Sequence, residues 1–331
     1  MNEGRFLDRH WFVAALSSEV GSRPQRVVIF GKPIALVRNS DGAVWALEDR
    51  CPHRGAPLSS GHLRKQGIVC PYHGWAFDGE GRCTATPGVV EPVGDFRVPA
   101  LNVLERDGLV WVTTGATAAL PERVTAMNPQ GQRFVQQMRW GAPIIDAEEN
   151  FLDALHTHTV HPGLVRRTDV RRPVSVTLTL AGDGFMVDYA GQADQSGLLF
   201  RLFESPRVSE RAYFSALSVG QIEYRYANGS ALWITLYFTP ETTHSTHVFA
   251  TLHVEGRWAP RWLVRTLVWP FLRKVAQQDQ SILEQQEALR AYFPGRRPLI
   301  TPLDIVRPYL DAAWSDEEPS LPTEVKRVLH L

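Results

Sequence analysis

Two short loops, Cys51-Pro52-His53 and Cys70-Pro71-Tyr72-His73, each offer one cysteine and one histidine, and sixteen residues separate His53 from Cys70. Thiolate and imidazole both bind zinc, but structural zinc sites usually pair Cys with Cys and His with His along the chain. One of each from each loop suits instead a cluster with two unlike irons. Cys51 and Cys70 would hold one iron as thiolates, and His53 and His73 the other through ring nitrogens, which is the ligand set of a Rieske [2Fe–2S] centre. Replacing two thiolates by neutral imidazoles removes negative charge and raises the potential to roughly −150 to +300 mV, giving a mild one-electron carrier. Pro52 and Pro71 stiffen the loops, and Gly55, Gly61 and Gly74 let backbone N–H groups approach the cluster sulfides. His62, between the two pairs, is expected at the surface.

A second stretch, ENFLDALHTHTVHPG from Glu149 to Gly163, places Asn150, Asp153 and His156 at i, i+3 and i+6, on one face if the segment is helical. His161 would lie about 140° further round an ideal helix, so it reaches the same point only where the helix distorts or ends, and Pro162-Gly163 offers an ending. Two histidines near a helix end and a carboxylate from elsewhere form the 2-His-1-carboxylate triad of mononuclear Fe(II), which leaves positions open for O2 and substrate. Asp279, on a C-terminal helix among glutamines and apolar residues, is the preferred third ligand because a carboxylate on a packing helix needs a cation. Glu284 and Asp304 are the alternatives. Asp146, Glu148 and Glu149 read as a solvated, acid-rich helix start favourable to the helix dipole. Asp153 could orient a ligand imidazole, join one metal site to another, or make a helix salt bridge. His158 points away from His156, and His244, His247 and His253 lack metal spacing.

The elements that must position these residues fall into two groups. From Arg26 to about Thr114, short β-like runs alternate with turn signals: VVIFGKPIALVRNSDGAVWALED reads as three strands, and FDGEGRCTATPG and LNVLERDGLVWVTT as hairpins. The stretch 114–133 is poor in periodic apolar residues, and the domain boundary is set within it, giving residues 1–118 and 119–331. After the helix that carries His156 come the strand-like runs VSVTLTLAGDGFMVDYA, AYFSALSVGQIEYRYANGSALWITLYFTP and STHVFATLHVEG, then a long helix over about 260–292 with a kink expected at Pro270. The expected fold class is α+β: an all-β N-terminal domain, then an antiparallel sheet with helices packed on it. SALSVGQIEYRYA and LWITLYFT alternate apolar and polar residues and are expected to line an apolar or aromatic pocket.

The chain has 331 residues, 35 Lys and Arg against 35 Asp and Glu, and so no global field to attract nucleic acid or an anionic membrane. The N-terminus has no apolar run that reads as a signal peptide. Nothing reaches the ~20 apolar residues of a membrane helix. Arg261–Lys274 is too short and is broken by Arg265 and Pro270. The Trp- and Arg-rich stretch Arg257–Lys274 is expected to cover the sheet, with a membrane contact as the alternative. Three cysteines, Cys51, Cys70 and Cys83, do not suggest a disulfide framework and fit a reducing cytoplasm, with Cys83 a small buried or half-buried side chain. Arg166, Arg167, Arg171 and Arg172 could receive an acidic substrate group, dock an acidic reductase, or be solvated.

Taken together, HWFVAAL, CPH…CPYHGW, the N-x-x-D-x-x-H-x-x-x-x-H run and the Asp279 helix resemble the oxygenase component of Rieske non-haem iron oxygenases over nearly the whole chain. The length and opening look most like the homotrimeric branch of vanillate, dicamba and toluenesulfonate-methyl monooxygenases. The resemblance implies a Rieske domain and a helix-grip catalytic domain, with His156, His161 and Asp279 as iron ligands. It implies that Asp153 bridges the Rieske centre of one subunit to the iron of its neighbour in a head-to-tail ring. It also implies electrons from NAD(P)H through a separate reductase or ferredoxin, and O2 as co-substrate. The expected activity is monooxygenation, hydroxylating or demethylating. A cis-dihydroxylating dioxygenase, a Rieske electron carrier fused to a non-catalytic ligand-binding domain, and a zinc-binding structural protein are the alternatives.

Overall fold

The structure is a computed structural model that describes residues 3–65, 67–88, 94–116, 118, 132–165, 171–190, 205–256, 260–296, 298–315 and 320–331. Two compact units are present: Asn2–Pro121 with Thr239–Thr243, and Glu122–Phe238 with His244–Leu331.

After a short helix α1 (Glu3–Arg9), the described residues of the first unit form ten strands: β1 (Phe12–Leu16), β2 (Gln25–Ile29), β3 (Lys32–Arg38), β4 (Val44–Glu48), β5 (His62–Arg64), β6 (Gly67–Val69), β7 (Ala76–Phe77), β8 (Cys83–Ala85), β9 (Asn102–Arg106) and β10 (Leu109–Thr113). They form three small sheets in the orders β1-β10-β9, β2-β3-β4 and β5-β6-β7-β8. Tight turns set the register. Phe30-Gly31 (φ 50° and 70°) joins β2 to β3, and Asp107-Gly108 (φ 55° and 71°) joins β9 to β10, both left-handed two-residue hairpin turns. At Gly67 (φ +133°) an added Cβ would stand 1.9 Å from the Phe77 carbonyl oxygen, so the close pairing of β6 with β7 requires glycine. The core of this unit gathers Val37, Leu47, Leu58, Ile68 and Phe77 around Cys51 and Cys70.

The second unit is built on an eight-stranded sheet. Its strands are β11 (Gln132–Trp140), β12 (Pro173–Ala181), β13 (Gly184–Ala190), β14 (Arg207–Ser215), β15 (Val219–Tyr226), β16 (Ala231–Thr242), β17 (Ser245–Glu255) and β18 (Glu324–His330), in the order β11-β17-β16-β15-β14-β13-β12-β18. Period-two alternation puts Ile222 and Tyr224 of β15 and Leu232, Ile234 and Leu236 of β16 on one face. Helices α2 (Ile144–Leu152), α3 (Trp269–Arg290) and α4 (Arg307–Ala313) complete the unit. This is the expected α+β fold with its large antiparallel sheet.

One helical expectation needs correction. The helix before His156 ends at Leu152; Asp153 is extended, and Leu155–His158 forms a separate 3₁₀ turn. Asp153 and His156 therefore do not share the face of one helix. The long helix expected over about 260–292 is present, helical without a break from Arg261 to Arg290. Its first turn, Arg261–Leu263, runs into a π-helical turn at Val264–Val268, which lies directly before Pro270, where the proline has no N–H to donate to the preceding turn. Strands β11 and β18 escaped the sequence reading. In QRFVQQMRW even the inward positions include a polar residue, Gln136, and in EVKRVLH only Leu329 is buried.

Candidate metal centres

The two Cys-His loops have one conformation. In each, the cysteine N–H donates to the carbonyl five residues on (Cys51 to Ala56, 2.8 Å; Cys70 to Trp75, 2.7 Å). The glycine four residues on donates back to the cysteine carbonyl (Gly55, 2.9 Å; Gly74, 3.1 Å), in the left-handed conformation at φ +74° and +75°. Asp49 anchors the first loop by accepting from Ser59 N–H (2.7 Å), Ser59 Oγ (2.6 Å) and Arg26 Nε (2.6 Å). Cys51 and Cys70 are buried free thiols. Burial pushes the Cys51 thiol up to about 11, against the backbone N–H groups of His53 and Arg54, with Cys70 close beside it. The His53 and His73 rings lie 4.5 Å apart, and Trp75 stacks on His53 at 4.7 Å and 7°. His53 Nδ1 is buried without a hydrogen-bond partner. Two adjacent thiols, two neighbouring rings and an orphaned ring nitrogen fit a [2Fe–2S] cluster with mixed ligands.

In the second unit the structure brings His156, His161 and Asp279 together, with ligand atoms all within 4.8 Å. His161 Nε2 lies 2.9 Å and His156 Nε2 3.4 Å from Asp279 Oδ1. On the far side of the His161 ring, Nδ1 lies 3.0 Å from Gln278 Oε1; a proton donated there leaves the Nε2 lone pair facing the triad. Asp153 accepts from Leu155 N–H (2.8 Å) and His156 N–H (3.2 Å), closing the 3₁₀ turn, and its Oδ2 stands 3.6 Å from His156 Nδ1. Asp279 ends an apolar stripe, Trp269, Leu272, Val275 and Ala276, whose helical spacing packs α3 over the cavity. Both histidines present Nε2 to one carboxylate oxygen, as a divalent cation site requires.

Burial disfavours charge on His156, but Asp153 and Asp279 outweigh it and push its pKa up to about 9. Burial likewise disfavours charge on Asp279, and the two histidines outweigh it, so its pKa falls. A metal must displace the His156 proton. Fe(II) uptake by metal-free protein should therefore weaken about tenfold per pH unit below about 9, an effect readable by anaerobic titration at several pH values. A pH-independent affinity between 6 and 8 would show that metal binding displaces no proton from His156.

Two cavities meet at His156 and Asp153. One, of about 160 Å³, is lined by the sheet residues named above, by Trp140, Phe151 and Trp269, and by His156, His161 and Asp279. It is close in size to an engineered cavity of about 150 Å³ that binds benzene. The other, of about 630 Å³, is lined by Asn150, Asp146, Glu149, Arg290 and Arg307, and Asp153 and His156 line both. Asn150 thus lies on the larger cavity, its buried Oδ1 without a hydrogen-bond partner.

The alternatives for the third ligand lie elsewhere: Glu284 is exposed and accepts from Gln280 (2.8 Å), and Asp304 accepts from Thr301 N–H (2.6 Å). The acids of α2 are not solvated as expected. Arg307 binds Asp146 (2.9 Å) and Glu149 (2.7 Å), Arg290 also binds Asp146, and Glu148 is fully buried beneath Trp314 Nε1 (2.8 Å). Burial drives the Glu148 pKa well above its usual value, with Trp314 opposing. The unfolded chain ionises first as pH rises past about 4.5, so this group lowers stability progressively above that pH. Glu148→Gln should remove that slope, and urea melts between pH 5 and 8 should show the variant gaining on the parent; parallel curves would refute it. His158 is buried, His62 is exposed, and Cys83 is half-buried. Arg171 and Arg172 are exposed, while Arg166 and Arg167 lie outside the described residues. In the stretch 257–274, Val268, Trp269, Phe271 and Leu272 line the smaller cavity, so it covers the sheet as expected, and residues 257–259 lie outside the described set. Gln278 was missed by sequence reading; its only signal was its place next to Asp279.

Residues 10–104 match the Rieske [2Fe-2S] domain, and residues 110–306 match the vanillate O-demethylase oxygenase C-terminal domain. The second match covers more than half of the chain, which belongs to this family of Rieske-type oxygenase components. The oxygenase component of dicamba O-demethylase from Stenotrophomonas maltophilia is 44% identical over 114 residues, 34% of either chain. The 3-chlorobenzoate-3,4-dioxygenase oxygenase subunit of Comamonas testosteroni is 32% identical over 176 residues, 50% of this chain and 40% of that one. The matched stretches thus span less than half the length of these curated relatives. Dicamba monooxygenase bound to 3,6-dichlorosalicylic acid superposes with TM-score 0.78 at 26% identity, covering 92% of this chain and 95% of that one. No helix among the described residues is long and apolar enough to cross a membrane.

Proposed function

We propose that this chain is the oxygenase component of an O2-dependent monooxygenase that hydroxylates or oxidatively demethylates a small, largely apolar or aromatic molecule. Electrons come from NAD(P)H through a separate reductase or ferredoxin. The observation that carries this reading is the convergence of His156, His161 and Asp279 on an apolar cavity, in a chain that also holds the paired Cys-His loops. Cys51, Cys70, His53 and His73 would hold the Rieske cluster, and His156, His161 and Asp279 the Fe(II). When bound, the cluster supplies single electrons at a mild potential and the ferrous ion offers open positions for O2.

The chain's own residues do the rest. Gln278 and Asp153 keep the two ligand rings in orientation from their far sides. Trp140, Phe151, Ile222, Leu236 and Trp269 exclude water and hold an apolar ring beside the triad. Asp153, on the wall of the larger cavity, is our candidate bridge to a neighbouring subunit's Rieske loops in a head-to-tail homotrimer, an assembly that sedimentation analysis would test. Three cysteines, two of them assigned to the cluster, leave no pair for a disulfide framework and suit a reducing cytoplasm.

The test is iron and acid-labile sulfide per chain on anaerobically purified protein, with an EPR spectrum after dithionite reduction. About three irons and two sulfides with a Rieske-type signal are expected. Two irons and two sulfides, with no uptake of added Fe(II), would instead favour the electron carrier. The likeness to a dioxygenase makes ring dihydroxylation the second reading. Labelled O2 separates the two, because dihydroxylation leaves both atoms in the ring product, hydroxylation leaves one, and demethylation sends its one atom out in the released formaldehyde.

A further inference from the structure

The helical segment 261–274 walls the smaller cavity with one side, and its other side has no part in the site so far. No acid occurs between Glu255 and Asp279, whereas Arg257, Arg261, Arg265, Arg273 and Lys274 all fall there. From Arg261 onward the chain is helical, and its two sides differ. Leu263 and Val264 are buried in an apolar cluster with Tyr224, Leu232 and Leu252, and Val268, Trp269 and Leu272 pack against it. Val268, Trp269, Phe271 and Leu272 also line the cavity. The outer side carries Arg261, Trp262, Arg265, Leu267, Arg273 and Lys274, all exposed. The four cations make no ion pair or side-chain hydrogen bond with any described residue. Trp262 is 66% exposed and Leu267 44%. A π-helical turn takes more residues than an α-turn, so Leu267, five residues on, stands nearer the line of Trp262 than the ~140° an α-helix would give. A solvated helix face needs neither the indole nor the leucine. Set among four unopposed cations, they make a patch that fits a surface negative outside and apolar beneath.

We propose that this outer face docks the protein on an anionic lipid surface, with Trp262 and Leu267 entering the headgroup layer and Arg261, Arg265, Arg273 and Lys274 meeting the lipid phosphates. A Trp ring settles at the headgroup level because its body is apolar and its N–H is polar. Each Arg or Lys close to an anionic leaflet strengthens binding about fivefold. The balanced charge of the whole chain does not oppose this, because salt screens charges more than ~8 Å from the surface. Docking sets a wall of the cavity against the bilayer, where apolar molecules concentrate. That use of the face rests on the oxygenase reading above, whereas the docking itself does not. An acidic electron-donor protein fits the same face less well. Its electron goes to the Cys-His loops, which belong to the other compact unit, and steering by charge needs no protruding indole and leucine.

The test is co-sedimentation of the metal-loaded protein with lipid vesicles. Vesicles of phosphatidylcholine alone are compared with vesicles of equimolar phosphatidylcholine and phosphatidylglycerol. Binding to the anionic vesicles is expected to be about tenfold or more tighter, and to weaken about tenfold or more between ~0.05 M and ~0.5 M salt. Arg265→Gln/Lys274→Gln should weaken it about tenfold or more, and Trp262→Ala about tenfold, by removing the inserted ring. All three side chains are exposed, so both variants should keep the parent's metal content and far-UV spectrum. Equal or absent binding to the two vesicle types, binding indifferent to salt, or unchanged binding in both variants would each overturn the proposal. Absent vesicle binding, with Arg265→Gln/Lys274→Gln altering the sedimentation of the protein instead, would assign the face to a second copy. Absent vesicle binding, with that variant slowing reduction by an acidic ferredoxin, would assign it to the electron donor. Iron and sulfide measured on the same sample keep the two readings apart. Full metal content without vesicle binding defeats the docking alone, and vesicle binding without uptake of Fe(II) defeats the oxygenase reading alone.

Discussion

Asp279→Ala is expected to empty the mononuclear site while leaving the Rieske spectrum intact. The carboxylate lies 2.9 Å and 3.4 Å from the two Nε2 atoms that would share a metal with it, and without it only two neutral donors remain. Loss of an outer partner of a ligand costs about 10–100-fold in metal affinity, so loss of a ligand should exceed about 100-fold. Turnover should fall to background. The four Cys-His loop residues belong to the other compact unit, so visible absorption and the reduced EPR signal should not change. The variant also has a signature in the metal-free protein: Asp279 helps to raise the His156 pKa, which should therefore drop below about 9. Iron per chain after anaerobic reconstitution is the decisive number. A full complement of iron with normal turnover would mean that another group completes the site.

Asp153→Asn should leave both metals in place under saturating iron and still lower turnover by about 10–100-fold. Its Oδ1 accepts from Leu155 N–H at 2.8 Å, and an asparagine oxygen can replace that contact. At the Oδ2 position, which faces His156 N–H at 3.2 Å and Nδ1 at 3.6 Å, the variant presents an amide N–H₂ to groups that need an acceptor. The 3₁₀ turn should persist, but the His156 ring loses the partner that holds its orientation, and the charge on the wall of the larger cavity disappears. Steady-state turnover alone does not separate these effects. The rate at which a pre-reduced Rieske cluster is oxidised, in a single turnover with substrate and O2, isolates electron transfer. Slow oxidation at full iron content supports the bridging role. An unchanged rate would confine Asp153 to closing the 3₁₀ turn.

What was legible in the sequence by itself was local chemistry and local geometry. The ligand types of the two loops follow from Cys51, His53, Cys70 and His73, and Gly55 and Gly74 stand where both loops need a left-handed residue. The Asp107-Gly108 turn and the alternation in β15 and β16 set strands whose period decides which side chains face inward. These features depend on neighbours within a few residues, where backbone sterics act directly.

Only the tertiary structure decided how distant groups converge. Helical spacing put Asn150, Asp153 and His156 on one face, yet α2 stops at Leu152, and the 3₁₀ turn is what aims His156 at His161. Asp279 rather than Glu284 completes the triad because the apolar stripe of α3 fixes which side of that helix meets the sheet. The acids of α2 looked solvated because their partners Arg290, Arg307 and Trp314 lie more than a hundred residues away in the chain. Contacts of this kind form when elements far apart in sequence pack together, and no local period encodes them.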